Sequence, residues 1–129
     1  MKWLFKTEPS DYSFERLQKE GRTTWTGVKN PLALKHLRGV KRGDEIAIYH
    51  TGAVKSVVGI AKALGDAQAD AVDLAPLKSV APVTLASVKA DPRFKEFPLV
   101  RMGRLSVMPV PAALWTPLTT VTVSASQKR

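Results

Sequence analysis

Between positions 22 and 43 the chain carries six basic side chains, one histidine and no carboxylate. Arg22 leads to Trp25, Gly27 and Lys29, and a short basic stretch opened by Asn30 and Pro31 then adds Lys35, His36, Arg38, Lys41 and Arg42. Cationic side chains neutralise phosphate, and an aromatic face stacks on a nucleobase. The combination points to nucleic acid. A second acid-free stretch, from 97 to the end, supplies Arg101 and Arg104. With Lys29, Lys35 and Arg38 these make a candidate phosphate track; the competing reading is a solvated basic face.

Other side chains suit a base rather than its backbone. Thr7, Glu8 and Asn30 are short polar groups that match the edge of a heterocycle, and a carboxylate accepts from an exocyclic amine such as that of cytosine. Asn30 is equally a helix cap, its primary role, and Glu8 equally the partner of a nearby cation. Tyr49, His50 and Thr51 end an apolar run just before Gly52, which places them at a sheet rim. Tyr49 and His50 alternate in direction there, so one points inward and the other toward the mouth. Ser106 reads as a pocket hydroxyl or a backbone-bonding one. Trp25 either stacks on an extruded base or pins the turn at Gly27, whereas Trp3 and Trp115 read as core. Nothing resembles a nucleophile elbow, a P-loop or a metal-ligand spacing, so no catalytic residue, metal or cofactor is expected.

Composition sets the frame. The 129 residues suffice for one domain, and the 44% hydrophobic content is that of a globular chain. Twenty Lys and Arg against eleven Asp and Glu give a net charge of +9, which favours polyanions. No apolar run approaches the ~20 residues of a membrane span. Lys6 and Glu8 interrupt the start too early for a signal peptide. Without cysteine there is neither disulfide nor thiolate chemistry. A cytoplasmic or nucleoid-associated monomer without membrane contact is expected.

The elements that must hold these groups can be read from local signals. Residues 2–7 suit a buried strand, and 8–11 a turn. Ser13 caps a helix over 14–20 that Gly21 ends, and Asn30 caps a second with Pro31 at its first position. Residues 45–50 and 56–63 form an antiparallel pair, with a third strand within 72–80. Gly59 marks a bulge or a close approach in the second of these. Thr84 caps a short helix, residues 105–108 suit another strand, and 111–115 one helical turn. Short strands mixed with short helices, without a βαβ repeat, indicate an α+β fold around a small barrel-like sheet.

Four strings together resemble the EVE domain, a member of the PUA-like superfamily related to ASCH and YTH domains. They are Trp3-Leu4-Phe5-Lys6-Thr7-Glu8-Pro9, Trp25-Thr26-Gly27-Val28-Lys29-Asn30, Ile48-Tyr49-His50-Thr51-Gly52 and Arg104-Leu105-Ser106-Val107-Met108-Pro109. The resemblance implies a PUA-like pseudo-barrel of five or six mixed or antiparallel strands with short flanking helices. One domain would occupy 1–116, and 117–129 would be a C-terminal tail. It also implies a non-catalytic reader of a modified base, modified cytosine in DNA foremost, with the pocket at the barrel mouth. The rivals are an RNA-binding domain of PUA or ASCH type acting on tRNA or rRNA, and a small nucleotide-processing enzyme. The chain departs from the family's commonest pattern at Thr26, where Asp is usual, and at Lys29, Pro31, Ile48 and Met102-Gly103. Thr26 bears most on base preference, because a hydroxyl replaces a carboxylate.

Overall fold

The computed structural model describes residues 1–120. In chain order the elements are β1 (Lys2–Thr7), α1 (Phe14–Glu20), β2 (Thr23–Trp25), α2 (Pro31–Leu37), β3 (Glu45–His50), β4 (Ser56–Ala63), β5 (Val72–Thr84), α3 (Leu85–Ala90), a single 3₁₀ turn (Pro92–Phe94), α4 (Pro98–Arg101), β6 (Val107–Pro109) and α5 (Ala112–Thr119). The six strands form one sheet in the order β2-β5-β4-β3-β1-β6. The β1–β3 pair is parallel, in the register Lys6 to Tyr49 and Thr7 to His50, and every other pair is antiparallel.

The sheet curls. Three strands separate β2 from β1 in the sheet, yet the Trp25 ring at the end of β2 lies 5.5 Å from the Phe5 ring of β1. The two outermost strands, β2 and β6, are only three residues each. They do not pair with each other, so the barrel stays open along one seam. Trp3, Leu4 and Phe5 are all buried, which explains why β1 reads as a continuous apolar run rather than an alternating one. Leu17, Leu37, Phe94 and Leu118 bring the helices and turns onto this core.

Capping sets the helix starts. Ser13 accepts from the Arg16 N–H, Asn30 from that of Ala33 and Thr84 from that of Ser87, at 3.0–3.1 Å. Gly21, at φ +80°, ends α1 through an N–H bond to the Leu17 carbonyl. Gly59 shows both expected features. The β4 register shifts beside it, and the Phe14 ring occupies the space a β-carbon would need. Gly59→Ala therefore overpacks α1 against the sheet and is expected to cost about 1–3 kcal/mol. Equilibrium denaturation checks this, and a wild-type midpoint would contradict it.

Several elements differ from the sequence reading. β2 has no counterpart in the sequence reading, because Thr23–Trp25 is too short to show alternation and takes its direction from β5. β5 runs on to Thr84, through two irregularities that let it bend with the sheet. Pro98–Arg101 is an unforeseen short helix. The domain limit at 116 falls inside α5, which passes through Pro117 and buries Leu118 completely. Trp115 is half-buried rather than core, with Lys2 Nζ 4.9 Å from its ring centroid. The remainder of the expected Thr/Val-rich tail lies outside the described residues.

Candidate nucleic-acid interface

The open seam holds a cleft of about 440 Å³. One wall is the end of β1 with the following turn: Lys6, Thr7, Glu8, Asp11 and Tyr12. The other is β2 and the loop after it, from Thr23 to Lys29, and Ser106 borders the cleft just before β6. Trp25 gives it an aromatic side. Its ring rests on Phe5 and meets Tyr12 edge-on, with centroids 6.1 Å apart at 88°. Thus it is anchored from behind while still bordering the cleft. Tyr12 is held by a 2.7 Å hydrogen bond from its hydroxyl to Glu20 of α1. The left-handed Gly27, at φ +81°, turns the chain from Trp25 toward Lys29.

The polar side carries both donors and acceptors. Lys6 Nζ donates to the Gly103 carbonyl at 2.9 Å and lies 5.8 Å from the centre of the Tyr49 ring. Burial lowers its pKa from the ordinary lysine value. Glu8 Oε1 accepts from the backbone N–H and the hydroxyl of Ser10, at 2.8 and 2.6 Å. Those bonds, with a smaller contribution from His50, hold the carboxyl below its usual range despite some desolvation. Its second oxygen occupies the space over Gly52 that a side chain there would fill. The Thr7 hydroxyl donates to the Tyr12 carbonyl at 2.7 Å, fixing the turn. The Ser106 carbonyl accepts from Lys6 N–H at 2.9 Å, so its side chain borders the cleft from a fixed backbone.

Of the base-pocket candidates, Thr7, Glu8, Trp25 and Ser106 border this cleft. Tyr49, His50, Thr51 and Asn30 do not. Tyr49 is 3% exposed, because β3 is a central strand covered on both faces. His50 Nε2 accepts from the Phe14 N–H at 3.1 Å, satisfying one of the free donors that open α1. Burial keeps its pKa below the ordinary histidine value, against the opposing charge of Glu8. Thr51 N–H donates to the Thr7 carbonyl at 2.9 Å and ties the β3 end to β1. Asn30 caps α2 and borders a neighbouring hollow instead. Of the groups expected at the mouth, Tyr49, His50, Glu8 and Ser106, only the last two border the cleft, because the first two are taken up by the core and by the start of α1.

The cations divide in a similar way. Arg38 grips Asp70 through Nε and Nη2, at 2.6 and 3.2 Å, and Arg101 pairs with Glu96 at 3.2 Å. Lys29, Lys35 and Arg104 are exposed and pair with no carboxylate among the described residues. Sequence reasoning missed Lys6, which sits inside an apolar run and reads as a strand residue, and Tyr12, which looks like part of a turn. It also missed Asp11, a carboxylate at the cleft. The spacing of Lys6 two residues before Glu8, at the end of a strand, was the available signal.

The EVE domain family model matches residues 1–120. The solved structure of Rpa0253 from Rhodopseudomonas palustris is 38% identical, with 92% of this chain and 90% of that one covered and a TM-score of 0.85. The human THYN1 protein, solved in complex with DNA containing 5-methylcytosine, shares the fold at a TM-score of 0.84. It is 22% identical, with 99% of this chain and 98% of that one covered. Thymocyte nuclear protein 1 of Rattus norvegicus is 34% identical over 80 residues. That match spans 53% of this chain and 35% of the rat protein, about a third of the curated relative's length. No described helix is long and apolar enough to cross a membrane.

Proposed function

This chain belongs to the EVE domain family, and from that premise we propose that it binds nucleic acid without catalysis and takes a modified base into the seam cleft. Modified cytosine in DNA is the favoured target. The observation that carries this reading is the cleft itself, which an anchored Trp25 borders together with Lys6, Glu8, Asp11 and Ser106. A carboxylate accepts from an exocyclic amine, an ammonium donates to a ring nitrogen or carbonyl, and an indole stacks on the ring plane. The 5-methylcytosine DNA bound in the human THYN1 structure supports the same ligand class for this fold.

Lys29, at the cleft, together with Arg104 and Lys35, then meets the sugar-phosphate backbone. A base in a duplex must first leave the stack, at a cost of a few kcal/mol. Stacking on one aromatic side chain returns roughly 1–3 kcal/mol, so phosphate contacts and base-edge hydrogen bonds supply the remaining affinity. About three phosphate contacts give a slope of log K against log salt near −2 to −3. Fluorescence anisotropy with modified DNA and RNA oligonucleotides at several salt concentrations tests this. Lys29→Gln with Arg104→Gln should flatten the slope, and a salt-independent binding curve for the wild type would contradict the track. RNA binding tighter than DNA binding would favour the PUA-type reading instead.

A further inference from the structure

Beside the cleft lies a second hollow of about 320 Å³, bordered by Asn30, Leu32, Met102, Gly103, Arg104 and Leu105. The two depressions share a partition. Lys29 borders the cleft and the adjoining Asn30 borders the hollow. Lys6, in the cleft, donates its hydrogen bond to Gly103, in the hollow. The hollow also holds two of the large hydrophobic side chains that this protein leaves exposed, Leu32 at 36% and Met102 at 44%. No carboxylate borders it, and the exposed Arg104 makes no ion pair among the described residues.

We propose that this hollow receives the nucleotide next to the one held in the cleft. The inference rests on the base-binding reading above and extends it from one nucleotide to two. An aliphatic surface edged by a guanidinium suits the face of a base, packed on Leu32 and Met102, and its phosphate on Arg104, whatever the base's identity. Continuity across Lys6 and Lys29 places cations along the wall between the two positions, where the linking phosphate must pass. Leu32 and Met102 are exposed because the fold does not need them inside, so changing them leaves the core intact. A flanking base on this surface makes binding depend on oligonucleotide length while adding little sequence preference.

The test compares 5-methyl-dCMP with a single-stranded trinucleotide carrying 5-methylcytosine at its centre, using wild-type protein and the Leu32→Gln, Met102→Gln double variant. The wild type should bind the trinucleotide at least about tenfold tighter than the mononucleotide, from one further base packed on the apolar hollow and its phosphates. The double variant should keep its mononucleotide affinity and its melting temperature while losing most of the length advantage. An unchanged length advantage in the double variant overturns the second subsite and leaves the cleft reading standing. Wild-type binding of neither probe overturns both.

Discussion

Trp25→Ala is expected to weaken binding of a modified oligonucleotide by about 1–3 kcal/mol, the loss of one stacked base. The ring borders the cleft while resting on Phe5 and Tyr12, so it serves ligand and fold together. A full Trp deletion from a core costs roughly 3–5 kcal/mol. Because Trp25 is only partly buried against the core, about 2 kcal/mol of stability is expected here. Trp25→Phe separates the two roles. A six-membered ring keeps a stacking face and most of the Phe5 contact, so it should recover most of the stability and part of the affinity. Titration and thermal melting on the same samples check this. A large melting loss with unchanged affinity would remove Trp25 from the binding surface.

Asp44→Ala is expected to lose about 3 kcal/mol of stability, from buried hydrogen bonds to a charged acceptor. The Asp44 carboxylate is 8% exposed and accepts from Trp3 Nε1 and Lys41 N–H, each at 2.9 Å, and from the Met1 amino group at 3.1 Å. These ties anchor the start of β1 beside the start of β3, the pair whose far ends carry Lys6 and Thr7 to the cleft. Removing the carboxylate leaves the buried indole N–H without a partner. Burial alone would raise the Asp44 pKa, but the bonds from Trp3, Lys41 and the amino group outweigh it and lower it below the ordinary aspartate value. The stabilisation is therefore complete above that ordinary value and is lost as pH falls through the lower folded-state value. Melting curves of wild type and variant should differ by a constant amount at neutral pH and converge in strong acid. Equal stability at pH 7 would contradict this role.

The parts of the fold legible in the sequence were those set by neighbouring residues. Ser13, Asn30 and Thr84 cap helices through atoms three residues away, so their positions follow from short strings. β1 and β3 followed from concentrated apolar side chains. What escaped depends on distant partners. β2 exists because β5 pairs with Thr23, Thr24 and Trp25, residues of strand-forming type but too few to mark a strand on their own. α5 continues past Pro117, where the sequence suggests a stop, because Leu118 fills the core and the Thr119 hydroxyl bonds the Trp115 carbonyl at 2.8 Å.

The candidate site divides along the same line. Trp25, Lys29 and Ser106 stand out by composition and motif, and all three border the cleft. Tyr49 and His50 end a strand, which places them at the mouth, but a strand end becomes a rim only if nothing covers it. Here Tyr49 is buried in the core and His50 is turned to the first N–H of α1. Lys6 was hidden by its apolar neighbours, since alternation along β1 is lost where both faces are buried.

The most direct measurement is the affinity of wild-type protein for matched single-stranded oligonucleotides that differ only at one base. Cytosine would be compared with 5-methylcytosine and 5-hydroxymethylcytosine, and adenine with N6-methyladenine, in DNA and in RNA. One buried methyl group is worth about 0.8 kcal/mol, so a methylated base seated in the cleft should bind roughly fourfold tighter than its unmodified counterpart. The preference should disappear in Trp25→Ala. Equal affinity for every modified and unmodified pair would contradict modified-base reading by this cleft.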